Sequence, residues 1–196
     1  MCRIQSKDTR CRFSKILFSS FLLLSFSKLS SLPLCPEDHT EVWDDCFGSY
    51  LYDGGEMYSG DWKDNLYHGN GVFFYQNGDR YIGEWKKDIP DGKGTYTYKN
   101  GDVYVGDWEN GKRHGEGSYA HKVSEWESDL YVGQFIDDKK EGVGLYTFTD
   151  GVRYYGSFQK DQMHGKGVFL YLDSTSVRVE CEKDTCREVS NLSDTE

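Results

Sequence analysis

The sequence predicts an all-β protein: an elongated single-layer antiparallel meander, preceded by an N-terminal signal or anchor segment. Three observations lead to this prediction. A pentapeptide of the form Tyr-x-Gly-x-aromatic recurs along the chain, and Asn-Gly or Asp-Gly pairs separate several of the apolar segments. The 196 residues also include 22 glycines, 16% aromatic residues and only 3 prolines. This composition suits many short strands joined by glycine turns.

The pentapeptide occurs five times in a fixed phase, which is typical of a repeat architecture. The steps between copies are 23, 23, 27 and 23 residues. Ten residues after each leading tyrosine comes a glycine-rich tetrapeptide such as "HGNG" or "DGKG". The five copies begin at Tyr58, Tyr81, Tyr104, Tyr131 and Tyr154.

The chain divides into four predicted segments. We expect residues 1–34 to form a signal peptide or an N-terminal anchor, and residues 35–57 to form an N-terminal cap with a half repeat. Residues 58–171 should hold the five repeats, and residues 172–196 a degenerate C-terminal cap with a polar tail. Terminal units are expected to differ from inner ones because they close the open ends of a stack.

The N-terminal segment predicts an exported protein. Its apolar run, residues 16–26, has the 11-residue length of a signal-peptide core and is short for a membrane span. A cleaved signal peptide places the chain in the secretory pathway, whether secreted, lumenal or periplasmic. The alternative is an uncleaved segment that anchors the chain to a membrane. The formal net charge of -10 argues against nucleic-acid binding.

Each repeat is predicted to contain two strands. In "YSGDW", the two-residue period of a strand places Tyr58, Gly60 and Trp62 on one face. A loop of about six residues should lead to the second strand, and the next Asn-Gly pair predicts a tight two-residue hairpin turn. A single layer has no second sheet to cover it, so its core must consist of rings lying across bare glycine backbone. We expect Gly60 to make room that Trp62 fills.

These motifs resemble the MORN (membrane occupation and recognition nexus) repeat, which is patterned Y-x-G-x-W, then H-G-x-G, then N-G. The resemblance extends over residues 45–181, with Phe135 and Phe158 in place of tryptophan and Asp91 and Glu141 in place of histidine. It implies a slightly twisted β-hairpin solenoid. It also implies a protein–protein scaffold or dimerisation module, and lipid binding is often suggested for the family.

Four cysteines lie outside the presumed signal, two on each side of the repeats. Four thiols allow three pairings, and the placement favours Cys35 with Cys46 and Cys181 with Cys186 as terminal staples. Neither pair has zinc-knuckle or C-x-x-C spacing, so a zinc site and a redox pair are weaker alternatives. Asn191 opens the sequence "NLS", a candidate glycosylation site.

One position of the tetrapeptide carries histidine or a carboxylate in every repeat. Its occupants are His68, Asp91, His114, Glu141 and His164. They suggest either a strip of metal ligands or side chains that hydrogen-bond turn amides, and we favour the second interpretation. The chain contains no phosphate-binding loop, nucleophile elbow, zinc-protease or calcium-loop motif. The sequence therefore predicts no enzyme activity, no cofactor and no metal.

Aromatic residues are the candidates for partner binding. A four-residue insertion before Tyr131 places Trp126 on a longer loop, where it either anchors a partner or folds back over the sheet. The other candidates are Trp62, Trp85, Trp108, Tyr58, Tyr81 and Tyr104. The predicted function is a scaffold that binds a partner protein or associates with itself. A membrane- or phospholipid-associated module is the first alternative, and an enzyme or glycan binder using exposed aromatics and carboxylates is the second.

Overall fold

The computed structural model describes residues 32–38, 40–125 and 127–189. The predictions for the N-terminal signal or anchor up to residue 31, for Trp126 and for Asn191 lie outside these residues. Within the described ranges there is no helix that is long and apolar enough to cross a membrane.

The described residues form one antiparallel sheet of thirteen strands, and the order of the strands in the sheet is their order in the chain. The all-β, single-layer meander is therefore confirmed. The strands are β1 (Cys46–Leu51), β2 (Met57–Lys63), β3 (Leu66–Phe74), β4 (Arg80–Lys86), β5 (Ile89–Thr97), β6 (Val103–Glu109), β7 (Lys112–Lys122), β8 (Ser128–Ile136), β9 (Lys139–Thr147), β10 (Arg153–Gln159), β11 (Gln162–Leu170), β12 (Ser176–Glu182) and β13 (Thr185–Glu188).

The alternation predicted for the first strand of each repeat is present. In β2, Tyr58, Gly60 and Trp62 are buried, whereas Ser59 and Asp61 between them are partly exposed. We call the buried face of the sheet the inner face and the opposite one the outer face. Because side chains of a strand point alternately to the two faces, every repeat sends its Tyr-x-Gly-x-aromatic residues inward.

The connection inside each repeat differs from the predicted six-residue loop. β2 and β3 are joined by Asp64 and Asn65 alone, with φ of 52° and 62°. Two consecutive residues in the left-handed region form a type I′ turn, which matches the twist of the strands it joins. Asp, Asn and Gly enter this region most readily. Two residues are therefore enough for the turn, and the strands extend further than the glycine pattern suggested.

The Asn-Gly segments also form a different turn from the one predicted. In the connection between β3 and β4, only Gly78 has positive φ, at 93°. Tyr75 N–H donates to the Asp79 carbonyl at 3.0 Å, and Gly78 N–H donates to the Tyr75 carbonyl at 3.0 Å. This pattern is a three-residue connection, in which a turn is followed by a glycine bulge. Asn77 remains outside the left-handed region because its side-chain oxygen accepts the Asp79 N–H at 2.9 Å.

The four-residue insertion lengthens a hairpin instead of a loop, contrary to the prediction. β7 and β8 run two residue pairs beyond the standard repeat, with His121 opposite Asp129 and Lys122 opposite Ser128. The connection between them, residues 123–127, is as short as its equivalents. The β7–β8 hairpin therefore projects past the edge formed by the neighbouring turns.

The tyrosine of each repeat, and not the tryptophan, lies across the glycine pair. A Cβ atom placed on Gly117 would meet Tyr104 at 2.6 Å, and Tyr104 is 0% exposed. The Tyr104 hydroxyl donates to the Asp107 carbonyl at 2.8 Å. The expectation that Trp62 fills the space at Gly60 was wrong, because the tyrosine leans along its own strand and reaches that space first.

The tryptophan reaches back to the preceding unit instead. The ring of Trp62 meets Tyr58 edge-on, with centroids 5.1 Å apart, and its Nε1 donates to the Gly48 carbonyl at 3.0 Å. Trp85 donates in the same way to the Gly71 carbonyl at 3.2 Å. Each unit is thus completed by an aromatic side chain from the next one.

Successive type I′ turns are joined by a second link. Asp88 N–H donates to the Tyr67 carbonyl at 3.1 Å, and its carboxylate accepts the Tyr67 N–H at 2.7 Å. At one place one of the two hydrogen bonds cannot form, because Pro90 has no N–H to donate and Gly111 has no carboxylate to accept. Only the bond from Gly111 N–H to the Pro90 carbonyl, at 2.9 Å, remains there.

Both disulfides follow the favoured local pairing. Cys35 is joined to Cys46, and Cys181 to Cys186. The first holds residues 33–35 along the outer edge of β1, where Phe47 N–H donates to the Pro33 carbonyl at 2.7 Å. The second joins directly opposite residues of β12 and β13. The two bridges therefore fasten the two ends of the sheet, as predicted.

Candidate functional site

The inner face carries a second set of aromatic side chains beside the buried tyrosines. These rings are mostly half-buried and come from the second strand of each unit and from the turn that follows it. Ring centroids of neighbours lie close together, for example 4.5 Å for Tyr96 with Tyr98 and 5.6 Å for Tyr75 with Tyr96. We call this set the aromatic ladder. Its members are Tyr50, Tyr52, Phe73, Tyr75, Tyr96, Tyr98, Tyr119, Tyr146, Phe148, Phe169 and Tyr171.

Aspartates hold the ladder tyrosines in place from one repeat to the next. The Tyr119 hydroxyl donates to Asp102 at 2.7 Å, and the Lys122 N–H donates to the same carboxylate at 2.9 Å. Asp79 binds Tyr96 in the same way, at 2.8 Å, and Asp129 binds Tyr146 at 2.9 Å. The hydroxyl groups of these three tyrosines are therefore bound to carboxylates of the sheet, which fixes the positions of their rings.

Asp102 is the most enclosed of these carboxylates, at 4% exposure. Burial by itself raises its pKa, but hydrogen bonds from Tyr119, Lys122 and His121 outweigh burial and lower the pKa to about 2. His121 Nδ1 lies 3.1 Å from the carboxylate. This carboxylate is therefore ionised at neutral pH, and its oxygens accept hydrogen bonds from the Tyr119 hydroxyl and the Lys122 N–H.

The ladder itself is neutral. Burial raises the pKa of Tyr75 to about 12, and it also raises the pKa of Tyr98 above its ordinary value of 10.0. Both phenols keep their protons across the physiological range, because burial disfavours the charged form. The ladder can offer apolar ring surface to a partner without adding charge.

Two cations lie against the aromatic rings in the middle of the inner face. The Arg113 guanidinium carbon is 5.3 Å from the Tyr119 ring centroid, and the Lys140 Nζ is 4.8 Å from that of Tyr146. Arg113 Nε also donates to Asp138 at 3.2 Å. Burial lowers the pKa of Lys140 below its ordinary value of 10.5. Positive charge over an aromatic face is stabilised by the ring electrons, so these cations are held in position.

The structure places the repeat aromatics proposed for partner binding in the core. Tyr58, Tyr81 and Tyr104 are 0% exposed, and Trp62, Trp85 and Trp108 are almost fully buried. Such side chains have no surface to offer unless the sheet opens. The half-buried ladder is the aromatic surface that remains on this face, and none of its residues was among the partner-binding candidates predicted from the sequence.

The row of His and acidic residues does not converge on a metal. Among the described residues, no three His, Cys, Asp or Glu side chains are grouped so that they could hold an ion. Asp91 accepts the Asn110 N–H at 3.3 Å, and Glu141 accepts the Lys160 N–H at 3.0 Å. These acidic side chains bond turn amides, as favoured above, but the turns belong to the next unit along the chain.

The sequential hairpins, the inward glycine pairs and the links between units define a β-hairpin repeat protein, a class that serves as a scaffold. Comparison with known families agrees with this class. The MORN repeat model matches more than half of the chain, at residues 58–80, 81–103, 104–121, 131–153 and 154–176. The chain belongs to the MORN repeat family, as the resemblance implied. No curated protein matches the chain.

Proposed function

We propose that this protein is an exported, non-catalytic scaffold that binds an extended segment of a partner protein along its aromatic ladder. The observation that carries the proposal is the ladder itself: half-buried, uncharged rings that recur in successive repeats and contact one another without a break from Phe73 to Tyr119. Aromatic side chains held in place lose little freedom on binding, so they are effective contact residues. Self-association through the same scaffold is included in the proposal.

Export is supported by the cysteines and by the N-terminal sequence. Two disulfides close within the described residues, and such bonds persist in oxidising compartments. The apolar run at residues 16–26 has the length of a signal-peptide core. We therefore propose a secreted, lumenal or periplasmic location, with membrane anchoring by an uncleaved segment as the alternative.

We propose that the protein is not an enzyme because the carboxylates that bind the ladder tyrosines already accept hydrogen bonds within the fold. Asp79, Asp102 and Asp129 each accept a phenol hydroxyl and a backbone amide, so their oxygens serve the fold. A general base needs a carboxylate or imidazole directed at a substrate. Because these carboxylate oxygens already accept hydrogen bonds from the protein, they are also poor candidates for binding a glycan.

The cations indicate the chemistry of the partner. Lys140 is half-buried between the rings of Tyr131 and Tyr146 and lies in an otherwise acidic chain. A partner segment with apolar side chains and one carboxylate would pair with it. The equivalent position in the last repeat is Met163, so Lys140→Met removes the charge with a side chain that this position already accepts.

A library of random dodecapeptides displayed on phage and panned against the immobilised protein tests this function. We expect enriched peptides to be apolar with an acidic residue. Their affinity should fall about tenfold for Lys140→Met and at least tenfold for Tyr98→Ala. Val105→Ala, on the outer face, is the matched control and should leave affinity unchanged. Enriched peptides that bind all three variants alike, each verified as folded by its melting curve, would contradict the proposal.

Membrane association is the alternative function, and exposed apolar side chains on the outer face, such as Val105 and Val132, favour testing it. Co-sedimentation with neutral and with anionic phospholipid vesicles separates the two functions. The net charge of -10 predicts no preference for the anionic vesicles. Strong binding to either vesicle that Val132→Ser abolishes would favour the membrane function instead.

A further inference from the structure

The outer face carries an apolar groove over its last strands, from β9 to β13. The groove has a volume of about 490 Å3, which lies in the range of small-molecule sites. Tyr155, Val168, Val143 and Val189 supply its apolar walls. Tyr155 is 55% exposed, and among the described residues no other aromatic ring contacts it. The groove can therefore receive the apolar body of a ligand against an exposed ring.

The floor of the groove contains a short side chain at a position where other repeats have a long acidic one. Ser157 lines the groove, and the equivalent residue of the first repeat is Asp61. The Asp61 carboxylate accepts the backbone N–H of Asn70, in the following strand, at 3.0 Å. The same bond joins Glu84 to Lys93 at 3.1 Å and Asp107 to Glu116 at 3.2 Å. The repeat therefore contains a backbone amide that binds a carboxylate of its own chain.

In the last repeat this amide belongs to Lys166, and no carboxylate of the repeat reaches it. A Cβ atom on Gly69 would meet the Asp61 carboxylate at 2.5 Å, whereas on Gly165 the nearest atom would be the Ser157 Cβ at 3.7 Å. Within the described part of the chain no side chain accepts the Lys166 N–H. The position that binds a carboxylate in three other repeats is therefore open to a carboxylate from outside the chain.

The charges beside this amide favour an anion. Lys166 is exposed, and its ammonium group forms no ion pair with any described residue. Arg178 also lines the groove. The acidic residue of the lining is Glu180, which accepts a hydrogen bond from Arg187 at 3.2 Å. Three cations thus surround one paired carboxylate in a chain of net charge -10, and such a local excess of positive charge attracts anions.

We propose that this groove binds a small organic acid, with its carboxylate at the Lys166 N–H and its apolar body against Tyr155. Ser157 and Tyr155 are neighbours on one face of β10, so the two ends of the site are about 7 Å apart. A phenyl ring joined to a carboxylate by three methylene groups, as in 4-phenylbutyrate, spans this distance. The proposal goes beyond the partner-binding function, because it concerns a small molecule and the opposite face of the sheet.

Titration of the protein with 4-phenylbutyrate, followed by the Lys166 amide resonance in proton–nitrogen NMR spectra, tests the site. We expect a Kd of about 0.1–1 mM, which is usual for a ligand of this size. The Lys166 resonance should move downfield, because its N–H gains a hydrogen bond to a charged acceptor. The uncharged analogue 4-phenylbutyramide should bind at least tenfold more weakly, since hydrogen bonds to an ionised acceptor are the stronger ones.

Ser157→Asp is the decisive variant, because aspartate occupies the equivalent position of the first and third repeats. Its carboxylate should accept the Lys166 N–H and weaken 4-phenylbutyrate at least tenfold. Lys166→Gln keeps the amide but removes the charge, and should weaken binding about threefold. Ser118→Asp is the matched control on the outer face of β7. It adds the same charge about 14 Å away, beyond the screening length at physiological salt, and should leave the Kd within about twofold.

Three results would overturn the proposal. A Lys166 resonance that does not move at about 10 mM 4-phenylbutyrate excludes the site. Equal weakening by Ser157→Asp and Ser118→Asp would mean that general repulsion, and not the Lys166 amide, controls binding. A peptide ending in Val-Phe with a free carboxyl terminus that binds at least a hundredfold more tightly than 4-phenylbutyrate would assign the groove to a protein terminus. Peptide binding by the aromatic ladder is measured with its own variants, so failure of either function is distinguishable.

Discussion

Replacing Gly117 by alanine tests the packing that holds every repeat together. A Cβ atom at this position would lie 2.6 Å from both Cε2 and the hydroxyl oxygen of Tyr104, and 2.8 Å from Cζ. Ordinary contacts of a Cβ atom begin at 3.4 Å. The backbone of Gly117 is not in the left-handed region. The substitution therefore acts only by displacing a fully buried ring.

The expected cost follows from two separate effects. Moving the ring outward by about 0.8 Å in a filled core costs about 1–3 kcal/mol. The same movement breaks the 2.8 Å hydrogen bond from the Tyr104 hydroxyl to the Asp107 carbonyl and leaves a buried donor unpaired, which costs about 1–3 kcal/mol more. We expect a loss of about 4 kcal/mol, a large part of the 5–15 kcal/mol by which proteins are ordinarily stable.

Urea denaturation followed by tryptophan fluorescence measures this loss, because Trp108 packs against the displaced ring with centroids 5.3 Å apart. Two glycines serve as controls. Nothing lies within 4 Å of a Cβ atom on Gly54, so Gly54→Ala should change stability by less than about 1 kcal/mol. Gly165 is also open but has φ of +80°, so Gly165→Ala should cost about 1–2 kcal/mol from backbone strain alone.

The ranking of the three variants is the decisive result. If Gly117→Ala is no more costly than Gly165→Ala, the tyrosine ring does not need bare glycine backbone, and the account of the core is refuted. If Gly54→Ala costs as much as Gly117→Ala, the loss reflects a general property of glycine in this chain.

Three further predictions concern the stability of the protein in acid, the hydrogen bond that is missing between Pro90 and Gly111, and the disulfide between Cys35 and Cys46. The folded pKa of Asp102 lies below its ordinary 3.8, so the stability that it contributes is present above pH 4 and lost as the pH falls towards 2. By urea denaturation, wild type should lose about 2 kcal/mol more over that range than Asp102→Asn loses, because Asp79 and Asp107 also have lowered pKa values and respond to acid in both proteins. The P90A/G111D double variant should restore the missing turn link and be about 1 kcal/mol more stable than the two single changes predict. Replacing Cys35 and Cys46 by alanine should cost about 3 kcal/mol and speed hydrogen exchange in β1.

Each of these has a result that would contradict it. An acid transition of equal size in Asp102→Asn would mean that other carboxylates carry the pH dependence. Strictly additive effects of P90A and G111D would mean that the two positions do not bond across the repeats. Unchanged exchange in β1 after removal of the first disulfide would mean that residues 33–35 hold the edge without it.

The sequence predicts the strands because their pattern is local. The alternation around Tyr58 and Trp62 assigns the inner face of β2 without any knowledge of its neighbours. The turns were predicted less well, since both connections contain residues that tolerate positive φ. Asp64 and Asn65 both have positive φ. In the Asn77-Gly78 pair only Gly78 does. The choice depends on which backbone hydrogen bonds the flanking strands form, and the pattern of glycines does not contain that information.

The candidate site was harder to predict because its contacts join distant residues. Asp102 and Tyr119 are 17 positions apart, and Asp79 and Tyr96 are separated in the same way. The signal was present in the aspartate that follows Asn77-Gly78 and Asn100-Gly101, and in the tyrosine that recurs 17 positions after each of these aspartates. The charges on the inner face gave a weaker signal, because Arg113 and Lys140 occupy a position filled by Tyr67 in the first repeat.

The order of the strands has a consequence for how the protein forms during synthesis. The chain leaves the ribosome from its N-terminal end, and the N-terminal edge of the sheet is the one sealed by residues 33–35. Each later hairpin needs only the hairpin made just before it as a template, so no strand must wait for a partner from the far end of the chain. Nascent chains of increasing length should therefore be folded up to their last complete unit, and translation itself can build the sheet one hairpin at a time.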